Sequence, residues 1–90
     1  RAADAAGTVD WCLASDPGEL ATGRALRPDH VLGVGGASTT LAQVTVRQPR
    51  GRALDLGTGC GIQALHAARH CEVVVGTDVS ARALGFARFN

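Results

Sequence analysis

Three glycines spaced two apart, Gly57, Gly59 and Gly61, close the run Leu54-Asp55-Leu56-Gly57-Thr58-Gly59-Cys60-Gly61. Glycine reaches backbone conformations that side chains forbid, so such a run turns sharply and lets a ligand lie against bare backbone. Followed by a helix, whose first N–H groups are free, it suits a nucleotide-type ligand. Asp78 stands 17 residues after Gly61, at the end of a valine-rich run. A carboxylate so placed can accept hydrogen bonds from ribose hydroxyls. A second constellation is His66 and His70, four apart, with Cys60 and Cys71 on either side. That spacing could hold a metal, but no Glu lies between the histidines as in zinc hydrolase helices, and no metal site is expected.

The elements that must position these residues can be read from the same stretch. Ala53, Leu54 and Leu56 suit a buried strand, and Ile62 to His70 has helical spacing, with Ile62, Leu65 and Ala68 on one stripe. Glu72 to Thr77 reads as a second buried strand. Ser80 then suits the N-cap of a helix carrying Arg82, Leu84, Ala87 and Phe89. Strand, glycine turn, helix and strand in that order predict an α/β doubly wound parallel sheet. A dinucleotide fingerprint would need its third glycine at position 62, where Ile62 stands; the pattern present is D-x-G-x-G-x-G.

That pattern, with Asp78 at the second strand end, resembles the first motif of class I S-adenosylmethionine-dependent methyltransferases, in particular the small-domain, HemK-like N-methyltransferase group. The resemblance implies a Rossmann-like sheet, of which this chain would be the first βαβα unit behind an N-terminal extension. Residues 1–50 would be that extension and a helix before the motif, and residues 51–90 the start of the cofactor-binding domain. It further implies that Asp78 holds the ribose of S-adenosyl-L-methionine and that Val79 packs on the adenine. Gly57, Thr58, Gly59 and Gly61 would form the loop under the methionine part, and Asp55 would orient that loop near the ammonium group. The methyl acceptor would be a base amino group in rRNA, tRNA or DNA, or a glutamine amide of a protein such as a release factor. Arg27-Pro28-Asp29 is similar to the Arg-Pro-acid run of release-factor glutamine methyltransferases, with His30-Val31 where Thr-Glu follows in that group. The Asn-Pro-Pro-aromatic or Asp-Pro-Pro-aromatic motif that orients the acceptor nitrogen in such enzymes does not occur in these residues, so no catalytic residue is named. Two other readings stay open: a nicotinamide-dependent oxidoreductase domain, and a non-catalytic scaffold of the same fold.

Composition narrows the class. Net charge is +1, with nine arginines and no lysine, which makes no overall electrostatic case for nucleic acid. The three cysteines, Cys12, Cys60 and Cys71, form no C-x-x-C pair, so a reducing cytoplasm is expected rather than a disulfide framework. No apolar run approaches the roughly 18 residues of a membrane span, and no membrane partner is expected. Ninety residues cannot supply all the strands and covering helices of such a sheet, so the stretch is expected to be part of something larger, inactive and unfolded or molten alone.

The remaining chain is read in order. Arg1 to Gly7 reads as the tail of a helix ending at Gly7, Val9 to Ser15 as a strand, and Asp16-Pro17-Gly18 as a turn. Trp11 is expected to pack rather than to stack on a substrate. Glu19 to Arg27 reads as weakly helical up to Pro28. Gly33 to Thr39 is expected to lead into a helix capped by Ser38, with Leu41, Val44 and Val46 on its buried side, as a helix entry without ligand contact; in the methyltransferases the motif resembles, a segment just upstream of it often lies across the cofactor. Arg47, Arg50 and Arg52 read as a solvated basic linker.

Overall fold

The computed structural model describes residues 2–4, 6–18, 23, 25 and 27–90. The chain is a mixed α/β structure. Strands β1 (Ala2–Asp4) and β2 (Gly7–Val9) form an antiparallel pair with Ala2 opposite Val9. Helix α1 (Gly36–Val44) follows, then strand β3 (Arg50–Leu56), helix α2 (Ile62–Ala67), strand β4 (Cys71–Thr77) and helix α3 (Ala81–Phe89). β3 and β4 pair in parallel, in a register that sets Leu54 beside Val75 and Leu56 beside Thr77. The parallel connection runs through α2, as parallel pairing requires a crossover.

The N-terminus corrects the sequence reading. In place of a helix tail it makes the β1–β2 hairpin, and the strand expected over Val9 to Ser15 stops at Val9. Seven alanine-rich residues are too few to nucleate a helix in water. Here the Asp4 carboxylate accepts the Ala6 N–H at 2.7 Å, closing the hairpin turn, and Gly7 takes φ +117°. Residues 10–18 then run as an irregular strap. The reading of Glu19 to Arg27 lies largely outside the described residues.

α1 begins two residues before the expected cap. Gly35, extended, is its N-cap, with no side-chain cap bond, and Ser38 lies inside the first turn. Its buried residue is Ala42, whereas Leu41, Val44 and Val46 are exposed. α1 packs against β1 and α2, and a small side chain suits the close approach. α2 is shorter than expected, ending before Ala68, and its inward residues are Ile62 and His66.

The buried strand expected at Ala53, Leu54 and Leu56 is half covered. Alternation sends Ala53, Asp55, Val74 and Gly76 to the partly buried face, while Leu54, Leu56, Val73 and Val75 lie exposed on the other. A two-stranded sheet with elements packed on one side leaves its second apolar face open. The core is small: Val31, Cys60, Ile62 and Ala83 are buried together, with Trp11, Leu13 and Phe86 packed against them. Trp11 meets the His66 ring edge to face, centroids 4.9 Å apart.

Candidate functional site

Parallel pairing brings the C-terminal ends of β3 and β4 side by side, and the glycine loop and Asp78 leave from those two ends. Gly57, Gly59 and Gly61 all have left-handed backbone, at φ +68°, +55° and +93°. Side-chain-bearing residues seldom take this conformation, so the loop needs glycine at each position. Between them Thr58 turns inward and is buried. Its hydroxyl donates to Asp55 Oδ2 at 2.7 Å and its N–H to the Thr77 carbonyl at 2.8 Å. Its carbonyl accepts the Gly61 N–H at 2.8 Å. Thr58 packs over Gly76 so closely that a Cβ there would lie 2.9 Å from Oγ1. Asp55 thus orients the loop from inside β3.

Asp78 secures the loop from the other strand. Its Oδ2 accepts the Gly59 N–H and its Oδ1 the Ser80 N–H, both at 2.9 Å. The N–H donors of Ser80 and Gly59, and then Val79, hold this carboxyl below its usual range despite partial burial. Ser80 caps α3 as expected, its Oγ accepting the Ala83 N–H at 3.2 Å. Cys60 is a small packed residue, buried beneath the loop.

Loop, Asp55 and Asp78 form one wall of a cleft of about 450 Å³. The opposite wall comes from residues 28–33 and from Ala37, Ser38 and Leu41 of α1. Gln63 donates to the Ser38 carbonyl at 2.8 Å, tying α2 to α1 at the cleft floor. Above Gly57 and Gly59 there is open space where a Cβ would stand, so the loop offers bare backbone to the cleft. The structure therefore brings together Asp55, Gly57, Thr58, Gly59 and Asp78, along with Gly33, Ala37 and Ser38 of the Gly33 to Thr39 segment. Gly61 lies behind, against Ala87. Val79 is outside the lining and its side chain is fully exposed.

A second polar cluster lies away from the cleft. Asp4 has a fully buried side chain and accepts from His66 Nδ1 at 2.5 Å and from Arg69 Nη1 at 3.1 Å. Burial pushes the Asp4 carboxyl up, but the His66 and Ala6 hydrogen bonds and the Arg69 and Arg47 charges outweigh it, leaving it below its usual range. Arg47 corrects the linker reading: its side chain is 3% exposed, with Nη2 donating to the Ala42 carbonyl and Nε 3.6 Å from Asp4 Oδ2. That Nε makes no hydrogen bond. Arg47 Nη1 also donates to His70 Nε2, and His70 Nδ1 donates to the Gln48 carbonyl at 2.9 Å. Arg50 and Arg52 are exposed, but they belong to β3, opposite Cys71 and Val73, and not to a linker. One sequence signal for this cluster existed: His66 lies one turn after Ile62 on the inward stripe, where a polar ring needs a partner. Nothing in the sequence pointed to Asp4.

Among the described residues no group of three or more His, Cys, Asp or Glu is placed to hold a metal, and no helix is long and apolar enough to cross a membrane. Comparison with protein-family models, with curated proteins and with solved structures finds no match to this chain.

Proposed function

We propose that the cleft binds S-adenosyl-L-methionine and that the chain supplies the cofactor half of a Rossmann-like methyltransferase. The observation that carries this reading is the convergence of two left-handed glycines, Gly57 and Gly59, and Asp78 on one wall of a cleft. That glycine wall offers bare backbone to a ligand, and the volume of about 450 Å³ is in the range of small-molecule sites. The open space over Gly57 and Gly59 fits a ligand lying directly on the backbone. Asp78, already ionised by its backbone donors, keeps lone pairs free to accept ribose hydroxyls. Asp55 acts through Thr58, holding the loop that passes under the methionine part.

When bound, the sulfonium supplies a methyl group on an already activated leaving group. The protein's own contribution is to hold sulfur, methyl carbon and acceptor in line, a positioning task. Asp78 and the loop fix the cofactor end of that line. The acceptor is a base amino group in nucleic acid or a protein glutamine amide, delivered against the open side of the cleft. Ile62 argues against the dinucleotide reading: it is buried in the core at the position where a nicotinamide site needs glycine.

The test is calorimetric titration of the protein with S-adenosyl-L-methionine, S-adenosylhomocysteine and NADH. Binding of the first two and not the third is expected. Binding of NADH alone, or of none, overturns the reading.

A further inference from the structure

The two walls of the cleft are joined by residues 14–16 of the strap, which hydrogen-bond to Val31, to Arg82 of α3 and to Asn90 at its C-terminal end. Asp16 exchanges two bonds with Val31, a buried residue of the second wall: its N–H donates to the Val31 carbonyl and its Oδ2 accepts the Val31 N–H, both at 3.0 Å. The same carboxylate receives the Arg82 guanidinium in a two-pronged grip, Nε at 2.9 Å and Nη2 on the other oxygen. Arg82 lies on α3 between Ser80 and Ala83, both of which line the cleft. Two residues earlier, Ala14 is bound through its N–H and its carbonyl by the Asn90 side chain, at 2.7 and 2.9 Å. Asn90 also donates to the Cys60 carbonyl at 2.7 Å, inside the glycine loop. The strap thus reaches the second wall through Asp16 and the glycine wall through Asn90. Its register is tight: a Cβ at Gly33 would lie 2.7 Å from Ser15 Oγ.

We infer that Asp16 is a positioning residue of the cleft, which with Arg82 holds the Val31 wall at its working distance from the glycine loop. This rests on the cleft being the cofactor site proposed above. Asp16 has no place in the glycine motif. Its role follows from the convergence of a bidentate ion pair and the Val31 N–H on one half-buried carboxylate, with the Asp16 N–H bonded to the Val31 carbonyl beside it. Bidentate arginine pairs restrict orientation as well as distance, which suits a brace between two segments. The Arg82 guanidinium and the Val31 N–H keep the carboxyl ionised well below its usual range, so the brace is intact throughout the neutral range.

The experiment uses the protein expressed from its natural reading frame, with Asp16→Ala and Arg82→Met as variants. Amide hydrogen exchange is read at Val31 and along β3 and β4, and S-adenosyl-L-methionine affinity by calorimetry. Asp16→Ala should speed Val31 exchange about tenfold with β3 and β4 unchanged, and weaken the cofactor about tenfold, the factor for one charged hydrogen bond. Arg82→Met keeps the Val31 bonds and should weaken binding about threefold, as for an exposed ion pair; it decides the matter if Asp16→Ala does not fold. Unchanged affinity in a protein that binds the cofactor overturns the inference, and so does loss of protection spread evenly over β3 and β4, which marks a merely structural role. If the parent protein binds no S-adenosyl-L-methionine, the cofactor reading fails by itself. Local acceleration at Val31 then still upholds the brace, and its absence overturns it.

Discussion

Replacing Asp78 by alanine removes the side chain that hydrogen-bonds the glycine loop from the end of the second parallel strand. In the structure its carboxylate accepts two backbone N–H groups, from Gly59 and Ser80, each at 2.9 Å. A hydrogen bond to a charged acceptor contributes about 1.5–3 kcal/mol, and for a half-buried group the low end applies. The two bonds together therefore stabilise the loop and the start of α3 by about 3 kcal/mol, a loss readable in chemical denaturation. Ligand affinity changes separately. If two ribose hydroxyls donate to this carboxylate, losing both at the same rate weakens S-adenosyl-L-methionine roughly a hundredfold. Asp78→Asn keeps one acceptor oxygen without the charge and should lose about tenfold. Calorimetry with S-adenosyl-L-methionine and S-adenosylhomocysteine measures both variants, with circular dichroism confirming that they remain folded. A folded Asp78→Ala protein whose affinity stays within about twofold of the parent's would refute the assignment of Asp78 to the ribose and the logic built on it, since one lost charged hydrogen bond alone predicts a larger change.

Gly76→Ala should destabilise the protein by about 1–3 kcal/mol in urea, because the new Cβ meets the buried Thr58 side chain at 2.9 to 3.2 Å; a neutral effect would mean that Thr58 can move without disturbing the loop. His66→Ala leaves Asp4 and Arg47 buried with an incomplete set of partners and should cost roughly 3 kcal/mol, with β1 released first in proteolysis. The acid limb of stability follows from Asp4, Asp16 and Asp78, all held below the usual carboxylate range. A folded-state pKa depressed below the unfolded value of about 3.9 gives stability that is full above that value and is lost as pH falls through the folded one. The denaturation midpoint should therefore stay level on acidification to about pH 5 and fall below about pH 4. Asp4→Asn should flatten that fall; an unaltered acid limb would show that Asp4 is not among its causes.

How much was legible in the sequence depends on whether a residue's partner is near it in the chain. The glycine loop is local: Gly57, Gly59 and Gly61 need their left-handed backbone whatever surrounds them, and Ser80 caps the helix that begins one residue later. The parallel pair was readable because a strand, a crossover helix and a second strand leave few arrangements open. The burial of Leu54 and Leu56 was misread because composition reports what a strand could bury, while exposure depends on what packs over it. The N-terminal alanines were misread for a related reason, since propensity yields to the long-range tie between Asp4 and His66.

The sequence by itself determined the turn geometry of the loop, the order of the parallel unit and the place of Asp78 at a strand end, because each rests on backbone conformation or on contacts within a few residues. Only the tertiary structure decided that Asp78 would grip Gly59, that Arg47 would leave the linker for a buried carboxylate, and that Asp16 would bind both Val31 and, 66 positions along the chain, Arg82. Those pairings are set by how the hairpin, the strap and α3 close around a small core. No spacing in the sequence encodes that closure, because ion pairs and backbone bonds between distant segments carry no periodic signature.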